Sequence, residues 1–389
     1  MYMSDPILSP DGKFMWTGTE WIPAPPNPSQ SANVSLQDSV ISGDVTITQN
    51  NAEDIAVAMV IALERMGFSG QSSPKELTPN QEAEVEQVLE MSEQLADHGI
   101  EVNPWTEINL GNAADLAGRT HSSEQHYLRA LETFRESGDR QGEAESLKKL
   151  GFIALTRGDL AEAERLFREG LAIMREIGDR NGEALSLGNL GFIAQTRDDP
   201  AEEERLEREI LAIMREIGDR QGEAESLGNL GFIANTRGDP AEEERLERES
   251  LAIKREIGDR NGEANILISL GFIAERRDDL AEAERLFRES LAIKREIGDR
   301  NGEANILISL GGIALTRGDL AEAERLEREG LAIKREIGDR QGEADILLNL
   351  GDIFYGGDKE KGDLYYTEAV LILRDIGLPV PQVLLDDGY

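Results

Sequence analysis

The chain has no cysteine in its 389 residues. Disulfide frameworks, Cys-ligated metal sites and thiol nucleophiles are therefore excluded, and a cytoplasmic, reducing setting is the expectation. Histidine is nearly as scarce, with His98, His121 and His126 the only three. The spacing of His121 and His126 puts them on different helix faces, so no metal pair is expected. Bases are short against acids, 41 to 77, for a formal net charge of −36. Such a surface repels phosphate backbones and anionic headgroups, so nucleic acid is not an expected partner. Long hydrophobic runs are missing as well. The longest apolar stretch lies near residues 55–63, far short of a membrane span. The N-terminus shows no basic segment leading into an apolar run, so no signal peptide is read there. There is no G-x-S-x-G, no H-E-x-x-H and no phosphate-cradling Gly-rich loop. No enzyme activity, cofactor or metal is expected.

What the chain does have is a 40-residue unit repeated in one frame. Leu-Gly recurs at Leu110-Gly111, Leu150-Gly151, Leu190-Gly191, Leu230-Gly231, Leu270-Gly271, Leu310-Gly311 and Leu350-Gly351. Residues 251–271 and 291–311 are identical letter for letter. A constant period of this length marks a solenoid, in which each unit packs only on its neighbours and no single core must grow.

Each unit reads as a helical hairpin. In the copy starting at Gly142, Leu147, Leu150, Ile153 and Ala154 recur at helical spacing. Gly158 ends that helix, and Asp159 with Glu162 forms the analogue of a capping box for the next. Pro200 and Pro240 follow the corresponding caps, where a missing N–H is harmless. Leu160, Ala163, Leu166, Phe167, Gly170, Leu171, Ile173 and Ile177 give the second helix its inward stripe. Gly178 closes it and Asp179 caps the next first helix. Pairs such as Glu164 with Arg168 read as decoration of a solvated face.

The order Leu147, Leu150-Gly151, Ala154, Ala163, Phe167, Gly170 resembles the tetratricopeptide repeat. The longer unit and its Gly-Asp-Arg turn are similar to the Pins-type and kinesin-light-chain subclass. The resemblance spans about residues 104–377. It implies an all-α fold: a right-handed α-solenoid of about seven helix-turn-helix repeats, its first helices lining a concave groove that holds other proteins. Two departures stand out. Glu203 and Glu243 replace the small residue represented by Ala163, and Glu207, Glu247 and Glu327 replace Phe167. A buried carboxylate is costly unless paired, so these chains are expected to snorkel toward nearby arginines and to leave a softer middle. The alternative is an acidic internal site for a cation or a basic partner.

The flanks are expected to divide into residues 1–30, a hairpin with Trp16 and Trp21 followed by a Pro-rich linker; 31–50, a short β segment; 51–100, a helical lead-in; 104–377, the array; and 378–389, an acidic tail. The array is thus preceded by a small β-containing segment. Helices are expected over 52–67 and 80–98.

If Leu147 and Leu150 face the partner helix, the positions one, two and five past Leu147 face the groove. In later copies these are Gly188, Asn189 and Phe192; Gly228, Asn229 and Phe232; Ile268, Ser269 and Phe272; Ile308, Ser309 and Gly312. Asn189 and Asn229 each donate and accept, as an extended peptide backbone requires. Ile268, Phe272 and Ile308 form an apolar wall, and Gly312 leaves room for a side chain. The alternative for the Phe series is packing between adjacent first helices. The functional expectation is a non-catalytic scaffold binding a protein or peptide segment in the groove, its oligomeric state left open. The alternative is a regulator or sensor whose N-terminal region binds a ligand or oligomerises while the array relays.

Overall fold

The computed structural model describes residues 14–16, 21–23, 52–69, 72–355 and 357–386. The strands expected within 31–50 lie outside the described residues. The chain divides into two compact units, one of residues 1–102 with 112–119, the other of 103–111 with 120–389.

In the first unit, β1 (Phe14–Trp16) pairs antiparallel with β2 (Trp21–Pro23), with Trp16 opposite Trp21. Helix α1 (Ala52–Met66) stops at Gly67, whose φ of +96° suits a residue without a Cβ. Helix α2 (Pro79–Asp97) opens on a full capping box: Gln81 N–H donates to Thr78 Oγ1, and Thr78 N–H donates to Gln81 Oε1 at 2.9 Å. The two helices pack together, and Met59, Leu63, Val85 and Leu95 are buried.

The second unit takes in the start of α3 (Pro104–Leu116) and all of α4 (Thr120–Ser137). Six further hairpins follow: α5 (Arg140–Thr156) with α6 (Leu160–Ile177), α7 (Arg180–Thr196) with α8 (Pro200–Ile217), α9 (Arg220–Thr236) with α10 (Pro240–Ile257), α11 (Arg260–Arg276) with α12 (Leu280–Ile297), α13 (Arg300–Thr316) with α14 (Leu320–Ile337), and α15 (Arg340–Tyr355) with α16 (Lys359–Asp375). From α4 to α16 each helix packs on its neighbour in sequence. The turns are built as the sequence implies. Asp159 accepts from Glu162 N–H at 3.0 Å, Gly178 sits at φ +73°, and Asp179 accepts from Gly182 N–H at 2.9 Å. The box is only half closed, because Glu162 turns its carboxylate to Arg165 at 2.6 and 2.8 Å. Asp198 and Asp278 occupy the place of Gly158 and hold φ of 56° and 61°. That left-handed conformation carries a steric cost for any residue with a Cβ.

Close approach explains the Leu-Gly signature. A Cβ on Gly151 would lie 2.5 Å from the Phe167 ring, and one on Gly271 2.6 Å from Phe287. The second helix leans its ring on the bare backbone of the first.

Charge links the hairpins. Glu143, Glu183, Glu223, Glu263, Glu303 and Glu343 are all buried near the start of a first helix. Each accepts from two arginines: one three residues earlier, in the Gly-Asp-Arg turn, and one at the end of the preceding second helix. Arg175 is representative. Its Nε donates to Glu183 at 2.7 Å, and its far nitrogen reaches Glu209 on the next second helix, so one side chain ties α6 to α7 and α8. Burial pushes the Glu183 carboxyl up, but the hydrogen bonds from Arg175 and Arg180 outweigh it and hold the group below the usual carboxylate range. The pairs expected to be decoration also reach across. Glu164 meets Arg168 at 2.7 Å on its own helix and Arg197 at the end of the next first helix. In the later copies Lys254, Lys294 and Lys334 are buried, and their ammonium groups reach the cap residues Asp259, Asp299 and Asp339 at 2.8–2.9 Å.

The apolar core is not continuous along this unit. One cluster runs from Ile108 to Met214, a small one gathers Leu211, Leu227, Leu230 and Leu246, and a third runs from Leu251 to Leu373. At the end, part of the stretch expected to be an acidic tail forms a short helix, α17 (Gln382–Asp386). Leu384 and Val380 pack on Tyr366, Val370 and Leu348.

Replacing Glu263 by Gln is expected to lower unfolding stability by about 1–3 kcal/mol, the cost of breaking a buried charge-assisted pair. Replacing Asp198 or Asp278 by Gly is expected to raise it by about 0.5–1 kcal/mol each. Denaturant midpoints of the single variants check both signs.

Candidate peptide-binding face and the buried glutamates

The first helices carry an aromatic row at one register. Phe152, Phe192, Phe232 and Phe272 are 43, 55, 57 and 41% exposed. The end members are partly covered because each meets a ring of its own hairpin edge to face: Phe152 on Phe167 with centroids 5.4 Å apart, Phe272 on Phe287 at 5.1 Å. Phe192 and Phe232 are the more exposed because α8 and α10 carry Glu207 and Glu247 where those rings would be. Asn189 is half-buried and Asn229 exposed on the same face, one turn from the Phe residues. Asn229 also opposes the upward shift of the Glu207 carboxyl. Gly188 and Gly228 have open space beside them. Ile268 and Ile308 are partly buried against the third core cluster, so each shows an edge of its side chain. The ring-to-ring contacts of Phe152 and Phe272 are made with the second helix of their own hairpin.

The glutamates in place of Phe167 do not snorkel to arginine. Arg208, Arg248 and Arg328 pair instead with Glu204, Glu244 and Glu324 at 2.6–2.9 Å. The residue after an inward position points out, so these guanidinium groups cannot turn back without breaking their own pairs. The carboxyl groups stay in the gap between helices and are shifted upward. Burial raises Glu207, opposed by hydrogen bonds from Ser226 and Asn229. Burial and the charge of Glu243 push Glu247 up to about 7. Burial pushes Glu327 up to about 8, opposed by a hydrogen bond from Asn349. The second set differs. Glu243 does find an arginine, Arg276 at 2.5 Å, whereas Glu203 takes only Gln195 at 3.3 Å and is shifted up by burial.

The substitutions in α7–α8 loosen the contact between its two helices. A Cβ on Gly191 would meet nothing within 4 Å, so α8 no longer leans on α7 as α6 leans on α5. Ile210, standing where Gly170 allows close approach, adds bulk at the same contact. On the second-helix side a cleft of about 620 Å³ opens, floored by Leu211, Leu227, Leu230 and Leu246. The arginines along it are paired with glutamates, Arg237 and Arg208 both on Glu204. Among the described residues there is no cluster of His, Cys, Asp and Glu able to hold a metal. No helix among them is long and apolar enough to cross a membrane.

Helical hairpins stacked at a fixed 40-residue period define an α-solenoid repeat protein. Family models for the tetratricopeptide repeat match residues 102–176, 145–216 and 262–336, and a second such model matches 224–258. Together they cover more than half of the sequence, and the chain belongs to the tetratricopeptide repeat family. Its fold is similar to that of a Signal Transduction ATPase with Numerous Domains protein with a tetratricopeptide repeat sensor from Pyrococcus horikoshii. That match has 16% identity and a TM-score of 0.57, covering 84% of this chain and 53% of the other, so the present chain spans about half of that relative. It is also similar to the apo form of RapI, at 14% identity and a TM-score of 0.57, covering 83% and 86%. No curated protein sequence matches.

Three features escaped the sequence reading: the two-arginine brackets, the cap-bound lysines, and the persistence of the inward glutamates as buried acids. The bracket was legible in principle, since Arg-x-Gly-Glu recurs one period apart from Arg140, Arg180, Arg220, Arg260, Arg300 and Arg340.

The raised acids give a pH signature. A carboxyl whose folded pKa lies above its unfolded value favours the native state below the unfolded value and loses that contribution as pH rises toward the folded one. Glu247→Gln is neutral at every pH. Its melting temperature is expected to match the parent near about pH 5 and to exceed it by several degrees at about pH 8. Thermal melts across that range check the divergence.

Proposed function

We propose that the array of residues 104–377 is a non-catalytic scaffold whose first-helix groove holds an extended segment of a partner protein. The observation that carries this reading is the row of four Phe side chains, each about half-exposed and repeated at one register on successive first helices. A solvent-facing aromatic series at fixed spacing suits the hot-spot chemistry of an interface, and it persists at Phe192 and Phe232, where the second helix has Glu in place of a ring. Phe192 and Phe232 anchor the middle of the segment. Asn189 and Asn229 hydrogen-bond its backbone, and Ile268, Phe272 and Ile308 receive an apolar side chain further along. The excess of acid over base favours a basic segment and disfavours nucleic acid.

A second reading rests on α1, which leaves Val57 and Ile61 more than half-exposed one turn apart. There the N-terminal unit docks or pairs while the array relays, as a sensor would; the archaeal relative's repeats are described as a sensor.

Full-length protein bearing Phe192→Ala and Phe232→Ala is expected to lose at least about tenfold of its affinity for captured partners while keeping its melting temperature, because exposed rings contribute little to folding. Full-length Val57→Ser/Ile61→Ser is the control. If capture survives the Phe changes and is lost with the α1 changes, the second reading replaces the first.

A further inference from the structure

We propose that the α13–α14 hairpin holds a socket for one lysine side chain of the bound segment, with Gly312 at its mouth and the Glu327 carboxylate at its floor. This rests on the groove reading above and assigns the chemistry of one subsite within it.

The chain supplies its own control. Residues 251–271 and 291–311 are identical, so two successive hairpins enter this region alike. Their paths then part. In the earlier hairpin Phe272 and Phe287 meet edge to face at 5.1 Å and fill the gap between first and second helix. In the next, Gly312 stands for Phe272 and Glu327 for Phe287. Both rings of one contact are gone together. Nothing lies within 4 Å of the direction a Gly312 Cβ would take. Beneath, the Glu327 carboxyl occupies the site of the lost Phe287 ring, with Oε1 2.9 Å from where a Gly311 Cβ would stand. Hairpins α7–α8 and α9–α10 also carry Glu at this place, but Phe192 and Phe232 remain above it.

Glu327 is 3% exposed, and its Oε2 has no hydrogen-bond partner. Oε1 accepts only from Asn349 Nδ2, at 3.2 Å. A buried acceptor without a donor is costly, and native structures rarely leave one without a role. Among the described residues no cation of the hairpins around it pairs with this carboxyl: the buried Lys334 of the same helix is held by Asp339 and Asn301. Arg328 is held by Glu324 and the Tyr365 hydroxyl, Lys361 by Glu324, and Arg325 by Glu322 and Glu329. On α13 Glu303 is bracketed by Arg295 and Arg300; on α15 Asp352 accepts from the Tyr366 hydroxyl at 2.6 Å. Among the described residues no donor is left for Oε2, and a bound segment can supply one.

Lysine fits this shape. Its unbranched stem is slim enough to enter the space left beside Gly312, and the ammonium is a compact donor of three hydrogen bonds, where a guanidinium needs a wider planar fork. Ile308 and Leu348, half-buried on the flanking first helices, offer apolar surface to the stem. The ammonium then meets Oε2 and the carboxamide oxygen of Asn349. Burial pushes the empty site's carboxyl up to about 8, so it is largely protonated at neutral pH. A bound ammonium favours the ionised form, so the proton leaves as the lysine enters.

The test selects random dodecapeptides, displayed on phage, against the full-length protein. Selected sequences are then titrated as synthetic peptides with lysine or with norleucine, which keeps the stem and removes the charge. Lysine is expected among the selected sequences, with norleucine binding at least about tenfold more weakly. That preference is expected to vanish in Glu327→Gln and in Gly312→Phe/Glu327→Phe, which restores the ring pair of the preceding hairpin and is expected to melt above the parent. Calorimetry at pH 7 in buffers of unlike ionisation heat is expected to show roughly one proton released per peptide, and none with Glu327→Gln. Peptides that are lost with Phe192→Ala/Phe232→Ala but indifferent to norleucine and to Glu327→Gln would overturn the socket and leave the groove standing. Peptides indifferent to every change on this face, or no selected peptide at all, would overturn both.

Discussion

A glutamate held between two arginines recurs at the start of six successive first helices, and the stacking of the hairpins depends on it. A solenoid has no long-range contacts to fix its geometry, so each junction must set its own register. Apolar stripes alone tolerate sliding. A buried carboxylate with two fixed donors does not, because a small shift leaves a charge without its partners. One arginine comes from the preceding second helix and the other from the turn, so the bracket forms only when both helices and the turn are in place. Its value lies in alignment more than in net stability, since burying the charge offsets much of what the pairing returns.

With register fixed by charge, the space between the helices of a hairpin is free to vary. In α5–α6 and α11–α12 a Phe ring rests on a glycine backbone and closes the gap. In α7–α8 and α9–α10 a carboxyl group takes the ring's place, and the Phe above has no ring to meet. In α13–α14 the upper ring is lost as well. One scaffold thus presents three surfaces along one face: Phe backed by a second ring, Phe without one, and Gly312 above a buried acid. The brackets hold the frame while these inner positions change, and so a destabilising residue can persist where it shapes a surface.

Much of this was legible in the sequence and some was not, for reasons that differ residue by residue. The hairpins, their caps and the glycine contacts follow from local spacing, and Asp159, Asp179, Gly178 and Gly151 act as their positions imply. The inward glutamates were visible as departures from Phe167, but their fate was misjudged. Three arginines adjacent in sequence looked able to reach Glu207, Glu247 and Glu327, yet adjacency on a helix places side chains on different faces, and those arginines pair outward. On the face proposed to bind peptide, the spacing located Asn189, Asn229 and the Phe row. It gave no hint that Asn229 also serves Glu207, a contact between residues far apart in the chain.

By itself the sequence determined that this chain is an array of paired helices, where each helix begins and ends, and which residues share a face. These are properties of one turn or one repeat, and a period of identical letters states them directly. Only the tertiary structure decided which charges meet across hairpins, which Phe rings are covered, and which carboxyl groups remain buried without a counter-ion. Those outcomes depend on distances between separate helices, and the free energy of a charge is set by what surrounds it, not by its neighbours in the chain.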